Sequence, residues 1–317
     1  MEGRCTRRQW LVLSPAAVGA GLSVAGARTA PASAAEPAGK EPFGYCLNTS
    51  TLMGQKLDLV EIVEIAAKAG YQAIEPWISE LDQHVRKGGN LKELGRRIAE
   101  RGLSVAGAID FFEWIVDDKT RRKKALEQAR RSMDMVQQIG GKRIAAPPAG
   151  ATKQSNLDLL KAAERYRAIL DLSEKAGVVP QVEVWGFSQT LGRLGEATLV
   201  AMESGHPQAC VLADVYHLYK GGSSLEGLKL LNGASMHVMH VNDYPAAPPR
   251  SSITDAQRVY PGDGIAPLKT IFRDLRQIGF RGMLSLELFN RDYWKQDAGL
   301  VARTGLQKMR AAVRSSF

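Results

Sequence analysis

Apolar residues along this chain follow two alternating rhythms. One phrase recurs: an amphipathic stretch closes on glycine, a short apolar run follows, and a polar residue ends the run. Leu59, Ile62, Val63 and Ala66 line one helical face, Gly70 stops it, residues 71–74 form a strand, and Glu75 stands at its end. Near the other terminus the same phrase returns. Leu268, Ile271, Phe272, Leu275 and Ile278 make the stripe, Gly279 the stop, 283–286 the strand, and Glu287 its end.

Between these, Gly102 separates a predicted helix at 91–101 from a strand at 103–109. Gly140 and Gly141 separate a helix at 119–139 from a strand at 142–146, and Gly177 separates a helix at 156–176 from a strand at 178–184. Further strands are predicted at 43–47, 209–213 and 236–241, although Pro180 is awkward inside a central strand and suits a strand's first residue. Eight strands alternating with helices across 43–314 require a parallel sheet with helical crossovers. Eight units close a barrel, so the expected fold is an α/β (β/α)8 TIM barrel occupying 43–317 as one domain. An open doubly wound sheet is the competing architecture. It is disfavoured because no GxGxxG follows the first strand and the candidate site residues come from many strands.

The first 42 residues break the rhythm. Arg7-Arg8-Gln9-Trp10-Leu11 resembles a twin-arginine export motif, a moderately apolar stretch runs from Leu11 to Ala27, and Ala32-Ser33-Ala34 has a small-x-small cleavage pattern. Residues 1–34 are therefore expected to be an export signal and 35–42 a Pro/Ala/Gly-rich linker, with a membrane anchor as the alternative. A cleaved signal of this type would place the mature protein in a bacterial periplasm or beyond, free of the membrane. The twin-arginine route carries folded proteins, often with a metal or cofactor already loaded.

Composition adds limits. The 317 residues carry a formal charge of +9, of which residues 1–40 hold a surplus of three, and the rest is spread rather than gathered into a basic run. A mildly basic solvated surface is expected, without a nucleic-acid footprint. Beyond the signal only Cys46 and Cys210 remain, each in an apolar run, so two buried thiols are expected rather than a disulfide or a zinc-finger spacing.

A parallel barrel builds its active site at the C-terminal ends of its strands. The polar residues found there are Asn48, Glu75, Asp110, Glu183, Asp214, His240 and Glu287. Four belong together chemically. Glu183, Asp214, Glu287 and His240 supply three carboxylates and one imidazole, a hard, oxygen-rich set suited to Mn²⁺ or Mg²⁺, with Co²⁺ or Zn²⁺ as alternatives. A single acid at a strand end more often caps a helix. Four on successive strands, each flanked by apolar residues, exceed what capping explains.

Glu183-Val184-Trp185-Gly186-Phe187, Asp214-Val215-Tyr216-His217, His240-Val241-Asn242-Asp243 and Leu286-Glu287-Leu288-Phe289-Asn290 together resemble the xylose isomerase-like sugar isomerase/epimerase barrels. The resemblance covers essentially the whole mature chain; it is specific for the superfamily and weak for the reaction. It implies that Glu183, Asp214, His240 and Glu287 ligate one divalent ion, and that Glu183 and Glu287 also act as the acid/base pair. His217 would contact substrate oxygens; its alternative is a histidine packed under the sheet rim. Glu75 and Trp77 would line the substrate pocket. Arg258, in the polar loop 254–264, could meet a substrate oxyanion or pair with Asp255 or Asp263. The implied activity is proton transfer beside a carbonyl in a sugar or polyol, by an isomerase or epimerase that could be a homo-oligomer.

Relatives on this fold suggest other outcomes. A lyase eliminating a group from an oxidised sugar, such as a 3-keto glycoside or an inosose-like compound, would use the same enolate. A sugar-binding barrel without turnover is disfavoured by the presence of both glutamates. A three-metal nuclease would need more histidines than the five in this chain.

Overall fold

A computed structural model describes residues 41–317. The export signal and nearly all of the linker expected at 1–42 lie outside the described residues. Eight parallel strands are found among the described residues: β1 (Gly44–Asn48), β2 (Ala73–Glu75), β3 (Ser104–Val105), β4 (Arg143–Ala146), β5 (Val179–Glu183), β6 (Val211–Asp214), β7 (Val238–Val241) and β8 (Met283–Leu286). They hydrogen-bond in the order β3-β2-β1-β8-β7-β6-β5-β4. Because β1 pairs with β8, the sheet curls round on itself, leaving the seam between β3 and β4 to be closed.

That seam is closed just beyond the regular part of β3. Ala108 donates to the Arg143 carbonyl (3.1 Å), and Ala145 donates to the Ala108 carbonyl (2.8 Å). The strand expected at 103–109 is therefore present in its pairing, but its regular ladder is cut to two residues. Gly107 explains the break. A Cβ there would lie 2.7 Å from Glu75 Oε1, so the backbone can pass the carboxylate only without a side chain.

Helices pack outside the barrel: α1 (Leu59–Ala69), α2 (Ile78–Arg86), α3 (Leu91–Glu100), α4 (Lys119–Gln138), α5 (Leu159–Ala176), α6 (Leu194–Glu203), α7 (Val215–Gly221), α8 (Leu268–Gln277) and α9 (Ala298–Arg314). Helix α1 starts on a reciprocal Asp58–Glu61 capping box and ends at Gly70, whose φ of 94° would strain other residues. The α1 and α8 stripes are buried as expected. Helix α2 was not anticipated: only Ile78 and Leu81 are buried. Residues 216–222 belong to α7 and its glycine cap. Among the described residues no helix is long and apolar enough to cross a membrane.

Pro180 is the second residue of β5, not its first. It is tolerated because the ladder to β6 begins only at Val182, so its missing N–H falls before that pairing starts. Cys46 and Cys210 are free and buried.

The main core fills the space between strands and helices, while a small separate cluster of Ile109, Ala145, Leu212 and Val238 packs together. Side chains two residues apart on a strand share a face. Leu212 thus leads to Asp214 on β6, and Val238 to His240 on β7, so a polar layer sits one step nearer the C-terminal mouth than this apolar layer.

Candidate active site

Strand register brings the polar residues together. Asp214 and His240 are paired across β6 and β7, and His240 is paired with Ser285 across β7 and β8. Glu287 lies two residues past Ser285 and so returns to the same face. The result is a buried cluster around one imidazole. His240 Nδ1 lies 3.3 Å from Glu287 Oε2, 3.7 Å from Glu183 Oε1 and 3.8 Å from Asp214 Oδ2.

Asp214 is both a cap and a site residue. Its Oδ1 accepts the His217 backbone N–H (2.7 Å) at the start of α7, while Oδ2 accepts from Asn242 Nδ2 (3.0 Å) and Arg258 Nη1 (2.9 Å). Capping and convergence therefore use different oxygens of one carboxylate.

Glu75 departs from its expected place on the pocket wall. It is completely buried, and its Oε2 accepts from His240 Nε2 (3.0 Å), Asn48 Nδ2 (3.0 Å) and Ser285 Oγ (2.7 Å). A carboxylate that accepts from Nε2 leaves Nδ1 free to face the other acids, an orientation typical of metal-binding histidines. Asp110 is also turned away, accepting from Ser132 Oγ (2.6 Å) and Gln128 Nε2 (3.0 Å) on α4.

Trp77 does line the cavity, and its Nε1 donates to Asn48 Oδ1 (3.1 Å). His217 lines it too and is fully enclosed. Burial, the largest influence, lowers its basicity, so it is neutral. Its Nε2 must accept from Arg258 Nη2 (3.1 Å), because guanidinium only donates. Nδ1 therefore carries the proton, and it has no hydrogen-bond partner among the described residues.

Arg258 reaches further than either alternative foresaw. Beyond its ion pair with Asp255, Nη1 donates to Glu287 Oε2 (2.8 Å) and Asp214 Oδ2 (2.9 Å), while Asp263 pairs instead with Lys308. The guanidinium also lies over the Tyr216 and Phe289 rings.

These contacts split the two glutamates electrically. Burial pushes the Glu183 carboxyl up to about 8. Burial acts on Glu287 in the same direction, but the charges of His240 and Arg258 override it and hold that carboxyl well below the usual range. His240 likewise overcomes burial through Glu287 and Glu75 and is held well above the usual imidazole range.

The donor set fits a divalent cation. Asp214, His240 and Glu287 bring ligand atoms within 4.8 Å of one another, and the buried His240 Nδ1 and Glu183 Oε2 have no hydrogen-bond partner among the described residues. Buried polar atoms left without a partner are costly unless something satisfies them.

Above the cluster opens a cavity of about 410 Å³. Trp77, Phe111, Trp185, Phe187, Phe289 and Trp294 supply its apolar walls, with Glu183, His217, Arg258 and Glu287 among its polar residues. Asn242, Ser285 and the aromatic walls other than Trp77 were not assigned site roles from sequence. Trp185 and Phe289 could have been found, since each lies two residues past a candidate ligand.

The xylose isomerase-like TIM barrel family model matches residues 63–312. The chain belongs to that family. An inosose isomerase of Bacillus velezensis is 25% identical over 277 residues, covering 86% of this chain and 98% of its own. A 3-dehydro-D-guloside 4-epimerase of Escherichia coli K12 is 23% identical over 213 residues, covering 62% of this chain and 77% of its own. The crystal structure of the IolI protein with a bound zinc atom superposes with a TM-score of 0.80 at 22% identity, covering 86% of this chain and 99% of that one.

Proposed function

We propose that this protein is a divalent-metal-dependent sugar isomerase or epimerase that moves a proton at the carbon beside a carbonyl. The observation that carries the reading is the placement of Glu183 and Glu287, which come from different strands, line one cavity and lie beside the same imidazole. Two carboxylates facing one substrate pocket are suited to take a proton from carbon and to return one. Glu287 takes the proton from carbon and Glu183 delivers one, with the roles reversed in the other direction. The neutral His217 lines this cavity, and its Nδ1–H would donate to a substrate oxygen. Aromatic walls cover the apolar faces of a sugar ring and keep water from the carbanion.

Glu183, Asp214, His240 and Glu287 would hold the cation. When bound it would supply Lewis-acid stabilisation of negative charge on the substrate oxygen. Three carboxylates favour Mn²⁺ or Mg²⁺, and the zinc of the IolI crystal structure keeps Zn²⁺ in the test set.

A panel of ketoses and inososes incubated in D₂O with metal-loaded enzyme tests the reading. Deuterium should enter the carbon beside the carbonyl, and Glu287→Gln should slow entry by about 10²–10⁴-fold. No exchange with any of them would discard it.

A second reading is a lyase acting on 3-keto glycosides. The E. coli relative's name is that of a 3-dehydro glycoside epimerase, and such a compound carries a leaving group β to the acidified C–H. Release of the aglycone, rather than exchange alone, would select elimination. Export through the twin-arginine route rests on Arg7-Arg8 and Ala32-Ser33-Ala34 alone. Recovery of the native protein in the cytoplasm with residues 1–34 intact would sink it.

A further inference from the structure

A second cavity, of about 560 Å³, adjoins the first, and Phe187 lines both. Three separate segments run from one into the other. The end of β5 and the loop to α6 carry Glu183 and Trp185 in the first cavity and Ser188 and Gln189 in the second. Helix α7 carries His217 in the first and, one turn later, Lys220 in the second. The loop after β7 carries Arg250 and Ser251 in the second, then Thr254 and Asp255 in the first. The half-exposed Phe187 ring, packed against Trp185 and His217, stands as the partition between them.

The second cavity is chemically unlike the first. Arg193, Lys220 and Arg250 line it, and among the described residues none of the three pairs with an acid. Its one carboxylate, Glu196, is engaged as an acceptor of the Arg193 backbone N–H (3.3 Å). Two of the cations are held in place. Lys220 Nζ donates to the Arg250 and Ser251 carbonyls (3.0 and 2.9 Å), and Arg250 lies so close over Gly222 that a Cβ there would be 1.9 Å from Nη1. Unpaired cations gathered at the end of a sugar-sized pocket are a place for an anion.

We propose that this second cavity is an anion-accepting subsite of the same site, holding a carboxylate or phosphate at the end of the substrate remote from the reacting carbon. The substrate class is then an acidic sugar derivative longer than a free monosaccharide. This rests on the sugar-directed reading of the first cavity.

Binding to the full chain, read by tryptophan fluorescence at low salt, tests it with matched probes. These are cellobiose against its terminal uronic acid, and glucose against glucose 6-phosphate. The charged member of at least one pair should bind about tenfold more tightly than the neutral one, and added salt should erode the difference. A preference in only the uronate pair, or only the phosphate pair, assigns the group. Arg193→Gln/Arg250→Gln should bring the ratio to one, whereas Arg250→Lys and a surface control, Lys123→Gln/Lys124→Gln, should keep it. Equal binding within both pairs would overturn the subsite, as would a preference that survives the double variant or is lost in the control. Deuterium exchange into neutral ketoses by the unaltered enzyme is scored separately. Its absence would remove the enzymatic reading without deciding the charge preference.

Discussion

His240 donates from Nε2 to Glu75 at 3.0 Å and turns its other nitrogen, Nδ1, toward Glu287 at 3.3 Å. The first contact fixes the ring so that the second can exist. Glu75→Gln removes the charge that anchors Nε2–H while keeping the side chain's size. Metal affinity should fall by about 10–100-fold, measured by calorimetric titration of metal-free protein with Mn²⁺ and Zn²⁺. Unchanged affinity for both ions would show that Glu75 does not orient the histidine.

Arg258 donates from one nitrogen to both Asp214 and Glu287, and it is almost wholly buried. Removing one partner from a buried charge cluster leaves the others uncompensated, at a cost of about 3–5 kcal/mol. Arg258→Met should therefore destabilise the metal-free protein by that order. A bound divalent cation would replace part of the lost positive charge, so added Mn²⁺ should raise the melting temperature more in the variant than in the parent. Equal increments in the two proteins would contradict this.

Much of this architecture is legible in the sequence because most strands are short apolar runs ending on or just before a polar residue, and most of the preceding helices close on or just before glycine. Glu183, Asp214, His240 and Glu287 could be gathered without coordinates, since strand ends share one mouth of a barrel. The direction of a side chain at that mouth could not. Glu75 occupies a strand end like the others, yet it lies beneath His240 because its face of β2 meets Asn48 and Ser285. Arg258 was named as a candidate, but its reach to Asp214 and Glu287 was equally hidden. It stands eighteen positions past His240 in an irregular loop, where no periodicity says which way the chain returns. Helix α2 escaped because two buried residues are too few to make a stripe.

Metal binding should release protons. In the metal-free protein, burial raises Glu183 to about 8, and His240 is held protonated well above its usual range. Both must lose their protons to ligate a cation. For Glu183 the sign is that of a raised carboxyl: its proton stabilises the metal-free fold at low pH, and that contribution is lost as pH rises from about 4.5 to about 8. Metal affinity should move oppositely, strengthening with pH below about 8. Calorimetry in buffers of different ionisation enthalpy should count between one and two protons per ion at pH 6.5, shared across the cluster. Binding without proton release would refute the assignment.

Gly107 couples the barrel seam to this chemistry. A Cβ at that position would sit 2.7 Å from Glu75 Oε1, and three donors on Oε2 prevent the carboxylate from backing away. Gly107→Ala must therefore either displace Glu75 or shift the backbone at Ala108, whose hydrogen bonds with Arg143 and Ala145 close the seam. Overpacking of this kind costs about 1–3 kcal/mol, visible as a lower denaturation midpoint with an unchanged slope. If Glu75 is what moves, metal affinity should fall as in Glu75→Gln, and the double variant should lose less than the sum of the two single variants. Strict additivity in both stability and metal affinity would mean that the strain is absorbed in the seam and never reaches the histidine.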